Sequence, residues 1–578
     1  MTSHQPSALD TTSYPWLAKY PPGVDWHMAI TPQPLTQLLT DAASQFPQNA
    51  AIRFMGRNTT YAALAAEVDR VAAGLQQVGI VRGTKVGLFL PNTPTFIVFY
   101  YAILKAGGTV VNFNPLYTHE ELTFQVKDSE TEVMVTHDLN ALFGKVEALL
   151  ASGILARAIV VPFASVLPRT KAALFKVFKR KEIANVAASR AKDRVIDGLA
   201  LAHTKAALKP VGIDPHEDVA VLQYTGGTTG TPKGAMLTHA NLYANTVQVH
   251  CWAADLVQGK ERVLGALPLF HVFAMTAVMN LGIAKAATMI LMPRFQLAEA
   301  LKLIDSEKPT LMPAVPTIFT AMLNFPQIKK FNLSSLRYCI SGGAPLPLEI
   351  KLGFEALAGC KVVEGYGLSE ASPVLTCNPI DGLVIPGSIG PPVPNTVISL
   401  RSLDDPSVEV PPGERGELCA KGPQVMKGYW KKPAETANQF VGDFLRTGDV
   451  AIMDENGFFQ IVDRIKDMII CSGYNVYPRR IEDAIYEYPA VEEVTVIGIK
   501  DSYRGEAPKA FIKLKAGQTA TAAQILKHLE PKISKIEMPA EIEFRDALPK
   551  TMIGKLSKKE LTAEESKRAQ STNAAKSV

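Results

Sequence analysis

The chain has 578 residues, 47% of them hydrophobic and 20% charged, a balance that fits a soluble protein with a large buried core. That length exceeds what one hydrophobic core organises, so two or more domains are expected. A net charge of +5 spread over so long a chain gives no footprint for nucleic acid, and the strongest apolar run, residues 96–104, is too short to cross a bilayer.

The first residues lack the basic and apolar regions of a signal peptide. The six cysteines are scattered and form no C-x-x-C pair. A structural zinc site is therefore not expected, and reduced thiols in a cytoplasmic protein are. Lys85 to Leu90 reads as a strand, Thr95 to Lys105 as a buried helix, and Thr109 to Asn112 as the next strand, with Gly107 and Gly108 as the break between them. Similar units recur around residues 131–162, 260–293, 309–341 and 359–364. This alternation predicts mostly parallel sheets with helices on their faces.

Residues 166–181 interrupt the pattern with six basic residues and no acid. On a helical wheel Leu167, Leu174 and Phe178 share one face, while Arg169, Lys176 and Arg180 lie opposite. Such a helix suits the surface of an anionic bilayer; the alternative is a solvated helix packed on its own domain. After about residue 383 short strands rich in Pro and Gly suggest a mainly antiparallel, barrel-like part. The large domain is expected to run over residues 1–462, with a hinge at 463–467. A small α+β domain follows over 468–562, with a helix from Pro478 to Tyr488 and strands at 494–499 and 510–514. Residues 563–578 read as a frayed, disordered tail.

The most informative stretch runs from Tyr224 to Gly234. Its glycines let backbone approach an anion, its threonines donate hydrogen bonds, and Lys233 adds a charge, the parts of a polyphosphate cradle. It is not a Walker loop, because Pro232 precedes the lysine and Gly234 follows it. Other segments follow in order: Leu267 to His271, Ser341 to Leu346, Glu364 to Glu370, Arg446 to Asp449, Asp463 to Asp467 and Leu548 to Lys555.

Taken in this order, over roughly residues 30 to 560, these segments resemble the acyl-adenylate-forming superfamily, which includes acyl-CoA synthetases, luciferases and the adenylation domains of peptide synthetases. Residues 78–118 and Ser472 to Pro478 look most like the bacterial long-chain fatty acyl-CoA ligases (AMP-forming). The resemblance implies an α/β fold, with two α/β sheets and a distorted β-barrel in the large domain and a mobile α+β lid. It implies an enzyme that activates a fatty acid with ATP and Mg2+ to acyl-AMP and passes the acyl group to coenzyme A. A carrier-protein acyl loader would share the same core motifs. The expected location is cytoplasmic, with or without peripheral contact on the inner face of the membrane, and a homodimer is compatible with the sequence.

The resemblance also assigns residues. Thr225, Gly226, Gly227, Thr228, Thr229, Gly230 and Lys233 would hold ATP phosphates. Gly343, Ala344, Glu364, Gly365, Tyr366 and Gly367 would form the adenine slot, with Tyr366 stacking on the base. Ser369 would contact the α-phosphate, Asp449 and Arg464 the ribose, and Glu370 the magnesium, a hard cation that suits a carboxylate and phosphate oxygens. Glu364 reads equally well as structural. A lone histidine in an apolar run is usually a satisfied core residue; the resemblance instead brings His271 to the acyl carboxylate, with Leu267, Leu269, Phe270, Val272, Phe273 and Met275 around the acyl pocket. Lys555 is the expected catalytic cation, since attack of a carboxylate on a phosphate brings two anions together. Lys466 would be the hinge, and Gly473 would guide the coenzyme A thiol.

Overall fold

The computed structural model describes residues 14–225, 232–472, 474–501, 504–551 and 554–576, with side chains through 568. Four sheets organise them. The first has seven strands in the order Val195–Asp197, Arg157–Val161, Val133–His137, Lys85–Leu88, Thr109–Asn112, Val219–Thr225 and Lys233–Thr238. All of its pairs are parallel except the last. The second has eight, in the order Val374–Cys377, Lys361–Gly367, Tyr338–Gly342, Leu311–Ala314, Arg262–Gly265, Thr288–Leu291, Ala50–Phe54 and Arg57–Thr60. Its interior is parallel and its two edge pairs are antiparallel. The alternation of strand and helix in the sequence is thus built as expected, for the reason that parallel neighbours need a crossover.

Helix Pro94–Lys105 starts on a proline, whose fixed φ suits the first turn, and buries every residue from 95 to 104. A helix apolar all round can only sit inside the protein, and this one packs on helix Tyr61–Gln77 and the first sheet. Helix His239–Trp252 begins with a capping box in which Thr238 accepts from the Asn241 amide and Asn241 accepts from Thr238. That cap fixes where the helix starts, and it then runs down the face of the second sheet.

The third sheet is antiparallel throughout. Val397–Arg401 pairs with Gly416–Lys421, which pairs with the long strand Phe444–Met453; that strand also carries Phe440–Val441 and Phe459–Arg464. Arg464 ends this sheet and Ile469 opens the fourth, with only the turn Ile465–Asp467 and Met468 between them. The fourth sheet orders Tyr474–Val476, Ile469–Cys471, Gly505–Leu514 and Val491–Asp501, with Glu541–Phe544 added in parallel to Gly505–Leu514. It has its own core of Ile469, Val476, Ile481, Val494, Ile512 and Ile525.

The tail departs from the sequence reading. Instead of fraying after residue 562, the chain continues helix Lys558–Lys576. Leu561 is fully buried against Phe511 and Leu548, and Glu565 reaches the buried Lys509 at 3.0 Å. One apolar anchor and one ion pair to a buried lysine give an otherwise polar helix a docking face.

Candidate active site

The ends of these sheets meet around a cavity of about 870 Å³. It has a polar half, drawn from the strand ends and the small C-terminal unit, and an apolar half between helix His239–Trp252 and the second sheet.

In the polar half, Thr225 and Lys233 face each other across the last antiparallel pair of the first sheet, and both line the cavity. Gly226, Gly227, Thr228, Thr229 and Gly230, expected as the phosphate loop, lie outside the described residues. The Lys233 ammonium sits 5.0 Å over the ring of Tyr429. The Tyr429 hydroxyl donates to Glu370 Oε1 at 2.7 Å. Burial pushes the Glu370 carboxyl up, and that hydrogen bond works against the shift by stabilising the carboxylate. Ser369 opens the short turn that carries Glu370 into the cavity wall.

Gly365, Tyr366 and Gly367 end strand Lys361–Gly367 and line the same space. Gly367 has no room for a side chain: a Cβ there would lie 1.8 Å from the Pro373 carbonyl oxygen. Tyr366 donates through its hydroxyl to Asp449 Oδ2 at 2.6 Å, and Arg464 Nε lies 3.0 Å from Asp449 Oδ1. Asp449 and Arg464 are direct partners across neighbouring strands, so the third sheet itself holds them together. The three groups present an aromatic ring beside a carboxylate with a cation behind it.

Two expected members of the slot are elsewhere. Glu364 does not line the cavity, although Val363 and Gly365 on either side of it do. Its buried carboxylate instead accepts from the Leu346 amide at 3.4 Å, and burial drives it up to about 7. Ala344 also stays outside the lining, although Gly343 beside it is part of the wall.

Lys555 enters from the small unit. The Gly554 carbonyl accepts from Thr317 Oγ1 at 2.8 Å, which ties the loop to the large unit. Gly343 has φ +81°, and a methyl group there would lie 2.7 Å from Lys555 Cε, so glycine is what lets the lysine pass. Burial and the nearby Arg464 lower the Lys555 ammonium to about 8. His271 lines the wall near it, with Nδ1 accepting from the Phe273 amide at 3.3 Å. Enclosure, and then Lys555, lower His271 to about 3, so it is neutral at any ordinary pH. Lys466, at the junction of the two units, also reaches the cavity. Gly473 lies outside the described residues.

The apolar half corrects the sequence reading. Of the residues flanking His271, Phe270, Val272 and Phe273 line the cavity and Leu267 lines a small hollow beside it with His271, Gly343 and Lys555, whereas Leu269 and Met275 are buried away from it. Its walls are Val249 and Trp252 on one helix with Ala253 at its C-terminal cap, and Ala277 and Leu281 on the contiguous helical stretch 275–284, over a floor of Ile340 and Val363. Spacings of three and four residues put each wall set on one helix face. Tyr429 was missed as well; its only signal was an aromatic residue in a Gly-Tyr-Trp run at 428–430.

Comparison with known proteins places the chain in context. Residues 39–430 match the AMP-binding enzyme family and residues 480–555 match the AMP-binding enzyme C-terminal domain. The long-chain-fatty-acid–CoA ligase of Bacillus subtilis (strain 168) is 43% identical over 552 residues, covering 95% of this chain and 98% of that protein. The enzyme of the same name from Escherichia coli O6:H1 is 36% identical over 563 residues, again 95% and 98%. The crystal structure of ATP-bound MatB from Rhodopseudomonas palustris superposes with a TM-score of 0.79 at 29% identity, covering 92% of this chain and 98% of that one.

Proposed function

The chain belongs to the AMP-binding enzyme family, and from that premise we propose that it is an AMP-forming fatty acyl-CoA ligase. One observation carries the reading: Lys555 reaches the junction of a polar chamber and an apolar slot, beside His271 and Gly343. A nucleotide in the first and an acyl chain in the second would meet at that lysine. The names of the two bacterial relatives support the fatty acid as the acid and coenzyme A as the acceptor.

In the first half-reaction a carboxylate oxygen attacks the α-phosphorus of ATP; the new P–O bond forms as the bond to pyrophosphate breaks. Lys555 stabilises the negative charge spread over the phosphate and carboxylate oxygens. Tyr366 covers the adenine, Asp449 accepts from the ribose hydroxyls with Arg464 beside it, and Ser369, Thr225 and Lys233 face the phosphates. Among the described residues no group of three or more His, Cys, Asp or Glu is arranged so that it could hold a metal ion. A magnesium ion would therefore take the single carboxylate of Glu370 together with phosphate oxygens, the donor set a hard cation prefers. It would neutralise charge on the leaving pyrophosphate.

In the second half-reaction the coenzyme A thiolate attacks the acyl carbon and AMP leaves. Lys555 occupies the space near that carbon and must withdraw. The turn Ile465–Asp467 is the natural pivot, with residues 468–562 moving as the lid and Lys466 at the hinge. Quantifying acyl-AMP, AMP and thioester by mass spectrometry from ATP, coenzyme A and a panel of acids tests the assignment. Thioester from fatty acids is expected; adenylate without thioester would point to a different acyl acceptor.

We also propose peripheral contact with an anionic bilayer. Helix Arg169–Phe178 packs inward through Ala172 and Phe175, whose ring lies 5.2 Å from that of Phe163. Leu167, expected on the outer apolar face, is buried, and the exposed apolar residues are Leu174, Val177 and Phe178, the last 77% accessible. Arg169, Lys171, Lys176, Lys179, Arg180 and Lys181 surround them, all exposed. Apolar tips within a basic rim match the interface of an anionic membrane. Liposome flotation should lose the protein when Lys176, Lys179, Arg180 and Lys181 are changed to Glu; equal flotation of both forms removes the contact. No described helix is long and apolar enough to cross a membrane.

A further inference from the structure

The apolar slot has a direction and an end. At its mouth, Gly342 and Gly365 are partners across adjacent strands, next to Gly343 and Lys555. At its far end lies Leu311, the first residue of its strand. The register pairs Leu311 with Tyr338, four residues before Gly342. Four strand residues at ~3.3 Å each give a slot of about 13 Å, the length of about ten methylenes in an extended chain.

Helix His239–Trp252 runs the same way. Asn245 exchanges hydrogen bonds with the Val374 backbone, at 2.9 and 3.0 Å, near the mouth. Two turns later, Trp252 Nε1 donates to the Asn378 carbonyl at 3.1 Å, past the end of strand Val374–Cys377. Cys377 is the partner of Gly365 and the Asn378 amide donates to the Glu364 carbonyl at 2.8 Å, so the anchor of Trp252 lies just inside the mouth, and the indole lines the slot together with Ala253, Leu281, Leu311 and Ile380. It is 4% exposed and held from behind by Tyr20, edge-on at 5.2 Å, whose hydroxyl is itself fixed on the Pro392 carbonyl at 2.8 Å. A large, flat, hydrogen-bonded ring clamped by a second ring is a rigid wall, not a flexible filler.

We propose that Trp252 is the stop of the acyl slot and sets the longest chain that binds fully extended. This rests on the fatty acyl reading above and deepens it. The strand count bounds the slot at about ten methylenes, so with its carboxylate at Lys555 a chain of at most about twelve carbons fits extended before the indole and the floor of the slot stop it. Longer chains must bend or leave methylenes unburied. Ala253, one residue on, faces the same end and is small, so bulk can be added there as well as removed at Trp252.

The test is the ratio of kcat/KM for hexadecanoate to that for dodecanoate in wild type, Trp252→Ala and Ala253→Met. Each methylene newly buried is worth about fourfold, so Trp252→Ala should raise the ratio roughly tenfold or more. Ala253→Met should lower it and move the optimum to shorter acids. Thermal denaturation of each variant identifies misfolding, and the two substitutions act in opposite directions, so a general loss of activity mimics neither. Ratios unchanged from wild type in folded, active variants overturn the stop. Wild type inactive on every fatty acid overturns the parent reading and the stop together, a failure recognised in the wild type and not in the variants.

Discussion

The two halves of the cavity are built on different physical terms. In the polar half the groups are held by specific partners at several points: Tyr366 and Arg464 on Asp449, Tyr429 on Glu370, Thr317 on the loop that carries Lys555. In the apolar half side chains fill space, and Trp252 is the large wall residue tied by a hydrogen bond. Directional groups must be of one residue type at one place, whereas a packed wall accepts many residues of similar volume. Chemistry should therefore fail when single atoms of the polar half are removed, and selectivity should drift when the apolar half changes in volume.

The largest expected effect comes from emptying the apolar half. Acetate leaves the slot bare, and with up to about 0.8 kcal/mol per buried methylene it should fall at least ~10³-fold below dodecanoate in kcat/KM. Equal efficiency for the two acids would mean that the slot does not hold the acyl chain. Next, Lys555→Ala should slow acyl-AMP formation by about 10²–10³ while sparing thioester formation from supplied acyl-AMP. An equal loss in both half-reactions would assign Lys555 to lid docking instead.

Replacing Glu370 with Gln keeps the shape and removes the charge. The magnesium concentration for half-maximal adenylation should rise roughly tenfold or more. An unshifted magnesium titration would take Glu370 out of the metal site. A pH effect follows from Lys555, which is charged below about 8 and neutral above it. Adenylation kcat/KM should therefore decline above pH ~8, approaching about tenfold per unit, and Lys555→Arg should erase that limb. The smallest expectation is an absence: His271, lowered to about 3 by its enclosure, contributes no inflection near 6.5. An inflection there that vanishes in His271→Asn would show that the histidine ionises during turnover.

The same contrast explains what could be read in advance. Tyr366, Glu370, Asp449, Arg464 and Lys555 stand in short polar motifs with fixed neighbours, and each lines the cavity. Glu364 belongs to such a motif and still stays out of the lining, buried with its carboxylate on the Leu346 amide. Val249, Trp252, Ile340 and Val363 carry no motif at all. In the sequence they are ordinary core residues. The peripheral helix shows the same limit: its composition announced an amphipathic element, but the packing of Phe175 decided which face turns outward.

The sequence by itself determined the alternating strands and helices, the break between a large and a small unit, and the polar motifs that bring Tyr366, Glu370, Asp449, Arg464 and Lys555 to the cavity. It could do so because periodicity, glycine and charge act locally along the chain. Only the tertiary structure decided that Tyr429 would hold Glu370, that Gly343 would leave a path for Lys555, and that Trp252 would close the slot. These depend on residues far apart in the chain meeting at close-packed distances, and close packing leaves no local signature.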